Sequence, residues 1–168
     1  MNILQEETHH IAEVQALVTA AFGRTEEADL VAALRGSQAF VPELSLVATE
    51  GEEVTGHILF TRCSIGSSTL PVLALAPVAV LPDHQNKGIG KALINAGLSK
   101  ARELGFKAVI VLGHAAYYPI FGFLPADKWQ ISAPFEVPAE SFMALELVPG
   151  ALEHTTGVVH YAPEFGIG

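Results

Sequence analysis

Gln85-Asn86-Lys87-Gly88-Ile89-Gly90 follows an apolar, strand-like run and opens an amphipathic helical stripe. A loop of this kind turns backbone N–H groups toward a bound phosphate. Its glycines let the main chain approach closely, and the helix start adds the positive end of its dipole. Lys87 and Lys91 would supply local positive charge in a chain whose formal net charge is −9. Two nucleotide fingerprints fail here. A P-loop needs four residues between its glycines and then Lys-Ser/Thr, whereas only Ile89 separates Gly88 from Gly90, and Ala92 follows Lys91. The dinucleotide pattern G-x-G-x-x-G needs a third glycine where Leu93 stands. ATP and NAD are therefore poor candidates for the phosphate carrier.

The segment does fit Gln/Arg-x-x-Gly-x-Gly/Ala. Upstream lies Leu75-Ala76-Pro77-Val78-Ala79-Val80-Leu81-Pro82, and downstream Tyr117-Tyr118-Pro119-Ile120-Phe121-Gly122-Phe123. In this order the segments resemble the GCN5-related N-acetyltransferase (GNAT) superfamily, which uses acetyl-CoA. Val111-Leu112-Gly113 leading into the tyrosines is similar to the bacterial YhbS-type branch. The resemblance covers about residues 1–148 and is tightest over 72–126. It implies the acyl-CoA N-acyltransferase fold, an α/β (α+β) architecture with a single mixed, mostly antiparallel sheet flanked by helices. It also implies transfer of acetyl from acetyl-CoA to a primary amine by direct attack on the thioester. With coenzyme A as the ligand, the helix-terminus argument sends its pyrophosphate to the N–H groups of Gln85, Asn86, Lys87, Gly88, Ile89 and Gly90 and to Lys91. The resemblance further implies that the preceding strand splays from its parallel neighbour, so that Val78, Ala79 and Val80 hold the pantetheine arm and thioester carbonyl. The resemblance also implies that Tyr118, four residues before Gly122, protonates the departing thiolate.

The residue chemistry agrees in part with that assignment. Pro77 cannot donate a ladder hydrogen bond and marks a bulge or lost pairing inside a strand. A phenol with its ordinary pKa near ~10 roughly matches a thiol leaving group. The base is open: Leu73, Ala74, Leu75 and Ala76 contain no acid where many relatives carry glutamate. Water-mediated or backbone-assisted deprotonation competes with His114, whose ordinary pKa lies near neutrality. Gly113-His114-Ala115 also replaces the asparagine that many relatives place after this strand. Glu26 and Glu27, with the acidic overall charge, would suit a cationic acceptor. His9, His10, His57, His84, His154 and His160 show no paired ligand spacing, and Cys63 reads as a small core residue, so no metal is expected. The missing acid keeps a second reading open, an acyl-CoA-binding sensor or regulatory module without turnover.

The elements that must position these groups follow from periodicity. A short strand near 2–5 precedes a helix with Ile11, Val14, Leu17, Val18 and Ala21 on one face, and a second helix spans 25–35 behind an incomplete capping box at Thr25. Leu44–Thr49, Val54–Ile65 and Leu70–Leu81 read as antiparallel strands joined by tight turns. From Gly88 a helical stripe runs to Gly105, and Ala108–Leu112 reads as a central strand buried on both faces and reached by a crossover. A short helix near 115–121, a strand after Gly122, a surface loop over 133–140, a strand near 142–148 and a tail strand at 157–161 complete the pattern. With 168 residues and no linker, one domain is expected, its core over about 1–148 and a C-terminal tail over 149–168. The first residues lack the basic start and apolar stretch of a signal peptide, and a lone cysteine allows no internal disulfide, so a soluble cytoplasmic protein is expected. The expected partner is a small-molecule or protein amine, with a homodimer left open and neither nucleic acid nor membrane favoured by the net charge.

Overall fold

The computed structural model describes residues 1–167. Contacts divide the chain into two compact units, one of Met1–Thr61 with Ala76–Lys100, the other of Arg62–Leu75 with the residues from Ala101 onward. The boundaries fall inside strands and a helix.

In the first unit, β1 (Asn2–Gln5) pairs antiparallel with β2 (Phe40–Glu50), and β2 pairs antiparallel with β3 (Glu53–Ile65). Helix α1 (Ile11–Phe22) buries Val14, Leu17 and Val18, and α2 (Glu26–Arg35) buries Ala28, Val31 and Leu34, the faces expected from their spacing. Val14, Leu17, Val18 and Ala28 pack with Val47, Val54 and Ala79 into one core. Strand β2 begins at Phe40, earlier than expected. Pro42 interrupts the apolar pattern there, and the ladder shifts register between Phe40 and Ser45 to accommodate it. Helix α3 (Ile89–Glu103) begins directly after the glycine loop.

In the second unit, β4 (Val72–Val80) runs parallel to β5 (Ala108–Leu112) through three pairs, ending at Ala74↔Ile110. Strand β5 then pairs along its length with antiparallel β8 (Phe142–Glu146), and β8 carries the short β6 (Leu124–Pro125). The sheet is thus mixed and mostly antiparallel, as the resemblance implied. The end of α3 is closed by hydrogen bonds from Gly105 N–H to Arg102 O and from Phe106 N–H to Ala101 O, the bonding of a Schellman cap.

Several sequence expectations need correction in this unit. Residues 108–111 are buried, but Leu112 is 47% exposed because the strand ends there. The helix expected at 115–121 is a single 3₁₀ turn, Tyr118–Phe121. The tail is part of the core: Leu152 and Val159 are fully buried with Ile65, Ile110 and Phe142. Strand β9 (Gly157–His160) pairs with the end of β3 and with β7 (Ile131–Ser132), a two-residue strand too short to leave a periodic signal. No described helix is long and apolar enough to cross a membrane.

Candidate active site

The glycine loop is built by local turn chemistry. After β4, Leu81 N–H donates to Thr55 O at 2.9 Å, and Pro82 starts a 3₁₀ turn over Pro82–His84. The Gln85 side chain returns to Val80 O at 3.2 Å. Asn86 at φ 64° and Gly88 at φ 83° then turn the chain into α3. Gly56 lets the start of that helix approach β3, since a Cβ there would lie 2.8 Å from Ile89 Cγ2 and 2.9 Å from Leu93 Cδ1. Among the described residues, the amides of Asn86, Lys87 and Gly88 donate to no protein acceptor, and neither Lys87 nor Lys91 is paired with a carboxylate. The loop therefore presents unengaged amides and exposed ammonium groups at a helix N-terminus, the arrangement that binds phosphate.

Two details of the expected cradle change. Gln85 N–H is turned back to Pro82 O at 3.4 Å, so it belongs to the 3₁₀ turn rather than to the free amides. Ala79 is buried in the first core while Val78 and Val80 are half-buried, so Ala79 can meet a ligand only through its backbone. Pro77 follows a cis peptide bond. The ladder between β4 and β5 stops before this segment, leaving residues 78–80 unpaired with β5.

In the second unit Tyr118 is 8% exposed. Its ring meets Tyr117 and Phe123 edge-on, with centroids 5.2 and 5.7 Å away. Gly113 makes this placement available, because a Cβ at that position would lie 2.2 Å from Tyr118 Cε2. The glycine that replaces the usual asparagine thus has a steric role that sequence reading missed. Burial, and secondarily Tyr117, push the Tyr118 phenol up to about 12. The rough match to a thiol expected from its ordinary value is lost, and the group stays firmly protonated at neutral pH. Its hydroxyl has no protein partner among the described residues.

His114 lies beyond the end of β5 and is exposed. Its carbonyl accepts from Tyr117 N–H at 3.0 Å and Tyr118 N–H at 3.3 Å, so its clearest role is to start the turn that carries Tyr118. Glu26 and Glu27 both face Arg24: Glu27 is bonded through Arg24 Nε at 2.9 Å, and Glu26 lies 3.3 Å from it. The guanidinium offsets half the charge that an acceptor would feel. Glu7, His9 and His10 do gather, with one ligating atom from each within 4.8 Å of the others. His10 Nδ1 there accepts the Glu7 N–H at 3.0 Å as part of a capping box. Burial pushes the Cys63 thiol up to about 12, in keeping with a packed residue.

The profile of the Acetyltransferase (GNAT) family matches residues 11–123, two-thirds of the chain, including residues 78–80, the glycine loop and Tyr118. The chain belongs to this family. Its relatives include the Escherichia coli K12 uncharacterized N-acetyltransferase YjhQ, 42% identical over 77% of this chain and 73% of that protein. The Escherichia coli uncharacterized N-acetyltransferase YhbS is 32% identical over 90% of each chain. The crystal structure of YhbS in complex with CoA superimposes with a TM-score of 0.93 at 30% identity, covering 98% of this chain and 91% of that one. A GNAT family acetyltransferase from Brucella melitensis in complex with acetyl-CoA gives 0.81 at 33% identity, covering 98% and 97%. The protein is accordingly an acyltransferase of GNAT fold. The shared fold extends past Phe123 into the tail strands that the family profile does not reach.

A second group of side chains in this GNAT chain left no motif in the sequence. Glu6 and Arg35 form a two-point ion pair at 2.9 and 2.7 Å, Ser45 Oγ donates to Glu6 at 3.1 Å, and His57 Nε2 lies 3.1 Å from Ser45 Oγ. Burial would raise the Glu6 carboxyl, but hydrogen bonding to Arg35, the Arg35 charge and the Ser45 hydrogen bond hold it below the usual range. Burial drives His57 down to about 4, against the pull of Glu6, so its ring is neutral.

Proposed function

We propose that this protein transfers the acetyl group of acetyl-CoA to a primary amine by direct attack. The observation that carries the proposal is the glycine loop, whose unengaged amides and two unpaired lysines stand at the start of α3. The similar YhbS and Brucella structures were solved with CoA and acetyl-CoA, which supports the same donor here. The pyrophosphate would take the amides of Asn86 to Gly90 with Lys87 and Lys91, and the pantetheine arm the backbone of Val78, Ala79 and Val80. In the reaction the amine nitrogen bonds to the thioester carbonyl carbon, the C–S bond breaks, and the thiolate takes a proton from Tyr118. The phenol recovers its proton from water. With no acid on residues 72–76 and His114 exposed, the amine is best read as losing its proton to solvent. The same missing base favours a second reading, an acyl-CoA sensor without turnover. Protein, acetyl-CoA and a panel of amines with a thiol reagent separate the two. Amine-dependent thiol release supports transfer, and tight CoA binding without release across the panel supports the sensor.

A further inference from the structure

The proposed reaction sends the amine's proton to solvent, and β4 carries no acid to receive it. The first unit, however, holds one buried ring with a bare acceptor. His57 is fully buried, and its Nδ1 has no hydrogen-bond partner among the described residues. The side chains around the ring fix its tautomer. Glu6 is ionised beside Arg35 and can only accept, so the single hydroxyl proton of Ser45 goes to Glu6 at 3.1 Å. Ser45 Oγ must then accept from His57, which places the ring proton on Nε2, 3.1 Å from Oγ and 3.8 Å from Glu6 Oε2. Nδ1 is left with a free lone pair. A buried acceptor left unmet costs about 1–3 kcal/mol, so this nitrogen calls for a donor.

The sheet puts that lone pair beside the strand that would hold the thioester. His57 pairs with Val47, and Val47 shares one core with Ala79, so the ring lies on the Ala79 face. Leu81 N–H donates to Thr55 O at 2.9 Å, and a Cβ on Gly56 would lie 3.3 Å from Ala79 O, so residues 55–57 run alongside 79–81. One strand spacing, about 4.8 Å, separates them. We propose that His57 Nδ1 receives the amine's proton through an ordered water, with Ser45, Glu6 and Arg35 holding the ring in its Nε2–H form. The proposal rests on the acetyl-transfer reading and deepens it. As the amine nitrogen bonds to the carbonyl carbon, its proton passes to the water, and a proton of that water passes to Nδ1. The imidazolium so formed faces the Glu6 carboxylate through Ser45 and returns the proton to solvent once the product leaves. Glu6 and Arg35 are the charged groups that act on the ring, and burial keeps it neutral, hence in its accepting form, at neutral pH. His57 works through the water and does not touch the amine.

The test follows amine-dependent thiol release by the native protein and by His57→Gln between about pH 6 and pH 9. His57→Gln should lower kcat about 100-fold at pH 7 with acetyl-CoA affinity unchanged. Hydroxide rises tenfold per pH unit and replaces the lost base, so the shortfall should shrink by about that factor per unit. A purely structural defect would instead cost the same factor at every pH. In the native protein with 15N-labelled histidine, NMR should show His57 protonated at Nε2 and bare at Nδ1. That measurement decides the matter even where His57→Gln does not fold. Protonation at Nδ1, a His57→Gln rate equal to the native one, or a loss that is the same at every pH would overturn the proposal. Should no amine release thiol from the native protein, the acetyl-transfer reading fails and this assignment falls with it. Native turnover combined with any of those three results refutes the assignment alone.

Discussion

Gly113→Ala is the smallest change that displaces Tyr118 without touching its chemistry. The new Cβ would stand 2.2 Å from Cε2, 2.8 Å from Cδ2 and 3.3 Å from Cζ of the ring, where ordinary contact begins at 3.4 Å. The ring must move by about 1 Å, and Tyr117 and Phe123 limit where it can go. Overpacking of this kind costs about 1–3 kcal/mol, and each kcal/mol lowers Tm by about 2–4 °C in a chain of this size. A misplacement of ~1 Å costs about 10²-fold in a positioned step. Tyr118→Phe, which keeps the ring and deletes the proton, should cost a similar factor in kcat with acetyl-CoA affinity unchanged. Because both changes remove one function, Gly113→Ala/Tyr118→Phe should be little slower than either alone. Stopped-time thiol release with a saturating amine gives kcat, and calorimetry gives acetyl-CoA affinity. Full-rate turnover by Tyr118→Phe where chemistry limits would refute the assigned proton transfer. A Gly113→Ala protein with unchanged Tm and rate would refute the packing on which the argument stands.

Gly88→Val places a β-branched side chain at φ 83° in a loop with open space around it, so the fold should persist and CoA affinity should fall at least tenfold by calorimetry. His57 is neutral in the folded protein, with its pKa near 4, and titrates at 6.5 when unfolded, so protons bind the unfolded chain preferentially between these values. Stability should therefore fall by about 2 kcal/mol from pH 7 to pH 5 in denaturant titrations, a loss that His57→Gln should largely abolish. Acidification also works against the Glu6–Arg35 pair, because a carboxyl held below its ordinary range loses its stabilising effect as it protonates. Cys63, with its thiol near 12, should react with iodoacetamide at pH 8 about 10³-fold more slowly in the native protein than after unfolding, read by mass spectrometry.

The sequence by itself determined the features that local spacing encodes. The glycine loop before α3, the faces of α1 and α2, the cap at Gly105 and the run of buried residues in β5 depend on neighbours within a few positions. Each was legible from periodicity and from the backbone demands of glycine and proline. The family was legible for the same reason, since its motifs are contiguous. Only tertiary structure decided which distant side chains meet. Glu6 follows β1, while Arg35, Ser45 and His57 lie on α2, β2 and β3, and no local pattern pairs them. Gly113 looked like a departure from a motif until the Tyr118 ring was seen to occupy the space of its Cβ. The pKa of Tyr118 rises because neighbours exclude water from its ring, which the residue type alone does not reveal.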